Sequence, residues 1–353
     1  MVLVLANFPN ERNRHEGMAQ RVVAVDRQIQ SVDRSYLFVS HRQFFIKQTE
    51  TIDDRAVQYR CNLFRHFFFI LKLLWKANTI YAHSVINLLP ILPLFPFLRK
   101  KTLLILDAHG VVPEEQAFSG ARLKSRLYAL TERLAFKRAD LVVVVTRAME
   151  SHFRTKYPEA MPTYVQYGIF PAHLQPEQQP VIAAHTEDEA VLRVVYSGNL
   201  QSWQNIDLMI QVMKSNLDDR IQYDILTGEP EELKRRLQAE GIAMDRICVQ
   251  TVAPSALGDY YRAAHYGFVL RDDMVVNRVA CPTKLVEYLY YGIIPIVSCA
   301  NIGDFETLGY EYLPYEAFST RVAARKSAIN REVARELIER QRSIDFKNLL
   351  KES

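Results

Sequence analysis

From Gly267 to Ser298 the chain reads GFVLRDDMVVNRVACPTKLVEYLYYGIIPIVS, and this stretch restricts the fold more than any other. Phe268, Val269 and Leu270 are an apolar run long enough for a buried strand and too short for a helix. A polar, basic loop follows from Arg271 to Arg278 and closes on Cys281-Pro282-Thr283. Thr283 has the side chain of an N-cap, and Pro282 stands where prolines collect at helix starts. Leu285, Val286, Leu289 and Tyr290 then recur at helical spacing, and Gly292 is the expected terminator. Ile293 to Val297 is a second apolar run, with Pro295 marking an irregular end. Strand, loop, helix and strand in this order belong to a parallel α/β sheet, whose ligands bind at the carboxyl ends of the strands.

The loop has a chemistry of its own. A helix start offers unpaired N–H groups and partial positive charge, so it attracts phosphate. Lys284 adds a full charge in the first turn, and Arg271 and Arg278 can approach from the loop. Glu287 lies three residues on, about 4.5 Å further along the same helix face. That offset suits a diphosphate at one end and a ribose next to it; it equally suits an ordinary Lys–Glu surface pair.

The run Pro282-Thr283-Lys284-Leu285-Val286-Glu287-Tyr288-Leu289, with Gly292 and Pro295 after it, resembles the nucleotide-binding segment of GT-B glycosyltransferases. The likeness is closest to glycosyltransferase family 4 and its relatives of bacterial surface polysaccharide synthesis (capsule, O-antigen, exopolysaccharide). The resemblance implies two Rossmann-like domains with parallel sheets facing a central cleft. It implies that Lys284 touches the donor diphosphate, near Gly198 and Asn199, and that Glu287 binds the ribose hydroxyls. The run Asp107-Ala108-His109-Gly110 also resembles the family, in which a histidine on this loop faces the transferred sugar. Two departures stand out. The run from Ser197 to Asn205 has none of the basic residues many members carry there, so Lys284, Arg271 and Arg278 are the candidates to supply that charge. Val279 stands where a sugar-holding glutamate is common.

The rest of the chain fits an α/β reading. Val2 to Leu5 is an expected strand, and a polar loop leads to Gly17 and a helix with Met18, Val22, Val25 and Ile29 on one face. Gly17, with Arg14 and His15 before it, can meet an acceptor phosphate; the same residues also read as solvated loop charges. Leu103 to Leu106 is a strand with His109 just past its carboxyl end, where a parallel sheet opens into a cleft. Glu114 and Glu115 follow Pro113 as first-turn residues, and Glu114 is a candidate on the acceptor side. Leu123, Leu127, Leu130 and Leu134 fall at helical spacing as one apolar face. Thr146 has the side chain of a cap for the next helix.

The Pro- and Gln-rich stretch near 173–190 is the expected linker. The domains are then 1–172 and 191–325, with a final helix in 326–353 returning to the first. Four scattered cysteines form no CxxC pair, which argues against zinc and fits a reducing cytosol. No apolar span reaches about 20 residues, the length that crosses a bilayer. Asn62 to Lys76 and Pro90 to Lys101 mix apolar and basic residues, and read either as core or as a docking surface for anionic membrane. A net charge of +4 is too small to argue for nucleic acid.

The expected activity is transfer of a sugar from a UDP- or GDP-sugar to a glycan or lipid-linked acceptor, with retention, in the cytoplasm at the inner membrane face. No cofactor or metal is expected, because no Asp-x-Asp motif is present and fixed cations can stabilise a leaving diphosphate. His109, Lys284 and Arg271 are the expected catalytic groups, and Gly198, Asn199, Arg278, Pro282, Thr283, Leu285 and Glu287 the donor-binding set. A nucleotide-sugar epimerase of the same fold and a non-catalytic transferase-like partner protein are the alternatives.

Overall fold

Aliphatic runs spaced by amphipathic helices close into two separate sheets. In a computed structural model, the structure describes residues 1–10, 17–168, 170–171, 174–180 and 191–350. The chain divides into two compact units, Met1–Ile169 with Ser343–Ser353, and Phe170–Arg342.

Among the described residues the first sheet has eight strands. They are β1 (Val2–Leu5), β2 (Arg34–Ser40), β3 (Gln48–Asp53), β4 (Ala56–Asn62), β5 (Thr79–His83), β6 (Leu103–Ala108), β7 (Leu141–Val144) and β8 (Thr163–Gln166), in the order β3-β4-β2-β1-β5-β6-β7-β8. All neighbours are parallel except β3 and β4. Every residue of β1, β5, β6 and β7 is buried, as expected of parallel strands covered on both faces. The order reverses beside β1: β2 lies on one side and β5 on the other.

The second sheet holds β9 (Leu192–Ser197), β10 (Ile221–Leu226), β11 (Ile247–Gln250), β12 (Tyr266–Val269), β13 (Ile294–Val297) and β14 (Leu313–Pro314). Its order is β11-β10-β9-β12-β13-β14, parallel throughout. Here the reversal falls between β9 and β12, the place where ligands bind in open α/β sheets. The Thr283–Tyr290 helix lies close on β12: a Cβ on Gly267 would come within 2.4 Å of the Tyr288 ring. Only glycine permits that approach.

Several details differ from the sequence reading. Thr283 is the first helical residue and Pro282 holds the cap position, with no side-chain cap bond. Asn205 caps its helix in a left-handed conformation (φ 52°), and its amide donates to Asp272 Oδ1 at 2.9 Å instead of accepting from the helix. Thr146 does cap, accepting from Met149 N at 3.0 Å. The final segment is shared. Helix Ala328–Arg342 buries Val333, Ala334 and Ile338 in the second unit, while Phe346 and Leu350 enter the core of the first. The leucine face of helix Arg122–Arg138 points outward, because that helix turns Thr131, Glu132, Ala135 and Phe136 to the core instead.

Candidate functional site

In the second unit, three segments converge at the carboxyl edge of β9 and β12. Strand β9 ends in Ser197, and Gly198 turns away at φ +148°, a conformation that favours glycine. A Cβ there would sit 3.8 Å from Lys284 Nζ. Arg271 follows β12, its carbonyl accepting from Ser298 Oγ at 2.7 Å. The Thr283–Tyr290 helix starts beside both and brings Lys284 in its first turn.

Lys284 Nζ lies 4.2 Å from the centre of the Tyr196 ring and donates to Gln204 Oε1 at 3.0 Å. Burial holds its pKa well below the usual lysine value, and the Arg271 charge adds to that, with Glu287 acting against it. Arg271 is lowered by burial too. It donates from Nη1 to Asn277 Oδ1 at 3.2 Å, while its buried Nε has no partner. Neither cation has a carboxylate within salt-bridge distance among the described residues. Two cations held together without an acid between them make a site for an anion.

Glu287 is buried one turn further along. Burial pushes its pKa up to about 7, against a hydrogen bond from Tyr261 and the charge of Lys284. Tyr261 is 3.5 Å from Glu287 Oε2 and 2.7 Å from Ser197 Oγ, so glutamate, tyrosine and strand end form one polar group.

The carboxyl edge of the first sheet is built differently. Arg21, from helix Gly17–Ile29, grips Asp107 at the end of β6: Nε lies 2.9 and 2.8 Å from the two carboxylate oxygens, and Nη2 lies 2.5 Å from Oδ1. Burial alone would raise Asp107, but Arg21, then His109 and His83, hold it well below the carboxylate range. His83, fully buried at the end of β5, has its Nδ1 3.3 Å from Asp107 Oδ2, and neither ring nitrogen makes a hydrogen bond. Burial takes its pKa down to about 3. His109 Nδ1 is 3.7 Å from Asp107 Oδ1, and its ring meets that of His83 edge-on at 5.6 Å. The turn after His83 is strained: Ser84 has φ +69°.

Residues 46–168 match the glycosyl transferase 4-like domain. The fold resembles Anabaena HepE in complex with UDP (12% identity, 99% of this chain and 98% of that one, TM-score 0.63). It also resembles sucrose-phosphate synthase from Thermosynechococcus elongatus (14%, 99% and 94%, TM-score 0.60) and a trehalose-6-phosphate synthase (13%, 99% and 92%, TM-score 0.55). No curated protein matches the sequence. The chain has the GT-B fold of these glycosyltransferases.

Within this fold, Lys284, Arg271, Gly198 and Glu287 come together as one group, with Asn199 beside them: its carbonyl accepts from Tyr196 Oη at 2.5 Å. Arg278 is not part of the cation pair. It is exposed and binds both oxygens of Asp273, at 2.5 and 2.8 Å. Leu285 leaves the candidate site altogether, with its side chain in the core and its N–H bonded to the Pro282 carbonyl. Pro282 and Thr283 contribute only through the helix start they form.

In the first unit, His109 sits at the strand end as expected, and Gly17 opens its helix. Arg14 and His15 lie outside the described residues. Glu114 turns away from His109: it accepts from Lys156 at 2.7 Å and faces His152 at 3.5 Å, and its pKa falls to about 2. Its neighbour Glu115 folds over Gly110 instead, within 2.5 Å of where a Cβ would stand. His83, Asp107 and His109 each offer a ligand atom, all within 4.8 Å, which is metal-binding spacing. Arg21 already bonds both oxygens of Asp107, however, and a cation there would face that guanidinium. Sequence reasoning missed Gln204, Tyr196, Arg21 and His83. For His83 a signal existed: an Ala-His pair closes the β5 run at Ala82-His83 and recurs at Ala108-His109, where β6 ends at Ala108.

Proposed function

We propose that this chain is a glycosyltransferase that moves a hexose from a UDP- or GDP-sugar to a glycan or lipid-linked acceptor, in bacterial cell-surface polysaccharide synthesis at the inner membrane face. The observation that carries the donor assignment is the Lys284–Arg271 pair at the reversal of the second sheet. Two partly desolvated cations repel each other until an anion with more than one negative charge arrives. A nucleoside diphosphate supplies it. The ionised Glu287 then accepts from ribose hydroxyls, and the helix start at Thr283 adds N–H donors to the phosphate. As the sugar departs, charge grows on the diphosphate, and the two cations are already in place to stabilise it. His109 is assigned to the transferred sugar, with Asp107 beside it as the orienting group. Retention follows the family expectation, and metal independence follows from cations that already meet the diphosphate charge.

The test is a thermal-shift screen with UDP, GDP, CMP, ADP and dTDP, repeated on Lys284→Ala and Glu287→Ala. A ligand that binds only the folded state raises the midpoint by mass action. One nucleoside diphosphate should shift the native chain and neither variant, and transfer should continue after chelation by EDTA. No shift with any nucleotide would sink the assignment.

A further inference from the structure

Acids stand next to the Lys284–Arg271 pair in the sequence, yet they are turned to other partners. Asp272 and Asp273 directly follow Arg271. Asp272 Oδ1 accepts from the Asn205 amide at 2.9 Å. Asp273 accepts from Arg278 through both oxygens, at 2.5 and 2.8 Å. Both acids are exposed, while Arg271 and Lys284 are half-buried.

What touches the two cations is neutral. Lys284 has three N–H donors. Gln204 Oε1 takes one of them at 3.0 Å, and the face of the Tyr196 ring lies 4.2 Å from Nζ. Arg271 donates from Nη1 to Asn277 Oδ1 at 3.2 Å. The charged groups that act on Lys284 are Arg271 and, from its own helix, Glu287, in opposite directions. Gln204 and Asn277 are not loose surface contacts, for only 8% and 1% of each is exposed. Asn277 is fixed at its other end, donating from Nδ2 to the Asp272 carbonyl at 2.8 Å. Gln204 closes the short turn Ser202–Gln204, and Asn205 ties that turn to the Arg271 loop through Asp272. The two amides belong to one framework that spans both segments.

An amide oxygen and a carboxylate oxygen accept the same hydrogen bond, but only the carboxylate cancels the donor's charge. A glutamate at position 204 or an aspartate at position 277 has the same shape and would hold its cation more firmly. Keeping two partly buried cations without an acid costs stability, as binding sites often do. We propose that Gln204 and Asn277 are positioning residues for the donor diphosphate: they fix Lys284 and Arg271 and leave the charge of both for the ligand. The inference rests on the donor reading of this edge and adds that amides, as distinct from acids of the same shape, set its affinity.

The test uses substitutions that change charge and almost no volume. The native chain, Gln204→Glu, Gln204→Met and Asn277→Asp are titrated calorimetrically with UDP and with GDP, and each unliganded protein is unfolded in urea. Gln204→Glu should weaken the better nucleotide by at least about tenfold, because its carboxylate neutralises Lys284 and repels the diphosphate. Its unliganded stability should equal or exceed that of the native chain. Asn277→Asp should weaken binding in the same way through Arg271. Gln204→Met removes the acceptor and adds no charge. It should lose only about 2- to 10-fold at neutral pH, the worth of one ordinary hydrogen bond. Its affinity should also fail at lower pH on the alkaline side, since Lys284 gives up its proton sooner. In Gln204→Glu the remaining affinity should persist to higher pH than in the native chain. Affinity and stability that fall together in every variant, with the alkaline limb unmoved, would overturn the proposal. So would full affinity in Gln204→Glu. A native chain that binds neither nucleotide would instead remove the donor reading itself, and this inference with it.

Discussion

The two sheets reverse strand order in the same way yet treat charge oppositely at their carboxyl edges. Beside β1, Arg21 and Asp107 neutralise each other through three short contacts, both fully desolvated. Beside β9, Lys284 and Arg271 have no carboxylate within salt-bridge distance among the described residues, and Glu287 acts on Lys284 only from further off. One edge carries a cation neutralised within the chain; for the other, we propose that an anion does it. Parallel topology supplies the place in both cases, and the side chains decide whether that place is structural support or a binding site.

The largest effect expected from this contrast is on stability. Arg21→Met leaves Asp107 buried without its partner and should cost about 3–5 kcal/mol, the usual consequence of breaking a buried pair. Urea unfolding followed by a probe in the first unit measures it, with nucleotide binding by the folded fraction retained. A loss below 1 kcal/mol would mean that the pair is not the anchor described here.

A smaller effect concerns pH. The unfolded glutamate titrates near 4.5 and the folded Glu287 near 7, so its carboxyl is protonated more readily in the fold. Between those values the unfolded chain ionises first, and the unliganded protein loses stability as pH rises. Nucleotide affinity should move the other way, climbing through pH 7 as Glu287 ionises. It should fall again at higher pH, when Lys284, already lowered from 10.5, gives up its proton. Glu287→Gln should flatten the acidic limb alone, as read by titration calorimetry from pH 5.5 to 9.

The grouping of residues at the second sheet's edge was largely legible because its parts are close in sequence. Arg271, Lys284 and Glu287 fall within seventeen residues, and helical spacing places two of them on one face. Gln204 and Tyr196 were not legible: they reach Lys284 from 80 and 88 residues away, and nothing local distinguishes them from their neighbours. Arg21 and Asp107 are 86 residues apart, and only the assembled sheet shows that they pair. The strands themselves were well marked where they are aliphatic on both faces, as in β7. The polar β3, largely exposed, gave no such signal. The leucines of helix Arg122–Arg138 show the limit of periodicity. Spacing identifies an apolar face but does not say whether core or solvent receives it. Here Phe136 and Ala135 fill the core instead.

The central claim is that Lys284 and Arg271 are kept unpaired for a diphosphate. The most direct measurement is nucleoside diphosphate titration of the native chain and of Lys284→Ala, with unfolding followed on the same samples. The account predicts an affinity loss of about 10- to 150-fold, the worth of a hydrogen bond to a charged group, with folding stability unchanged or raised because a like-charge contact has gone. Unchanged affinity with a clear loss of stability would show that Lys284 is a structural cation, and the donor site would have to be sought elsewhere.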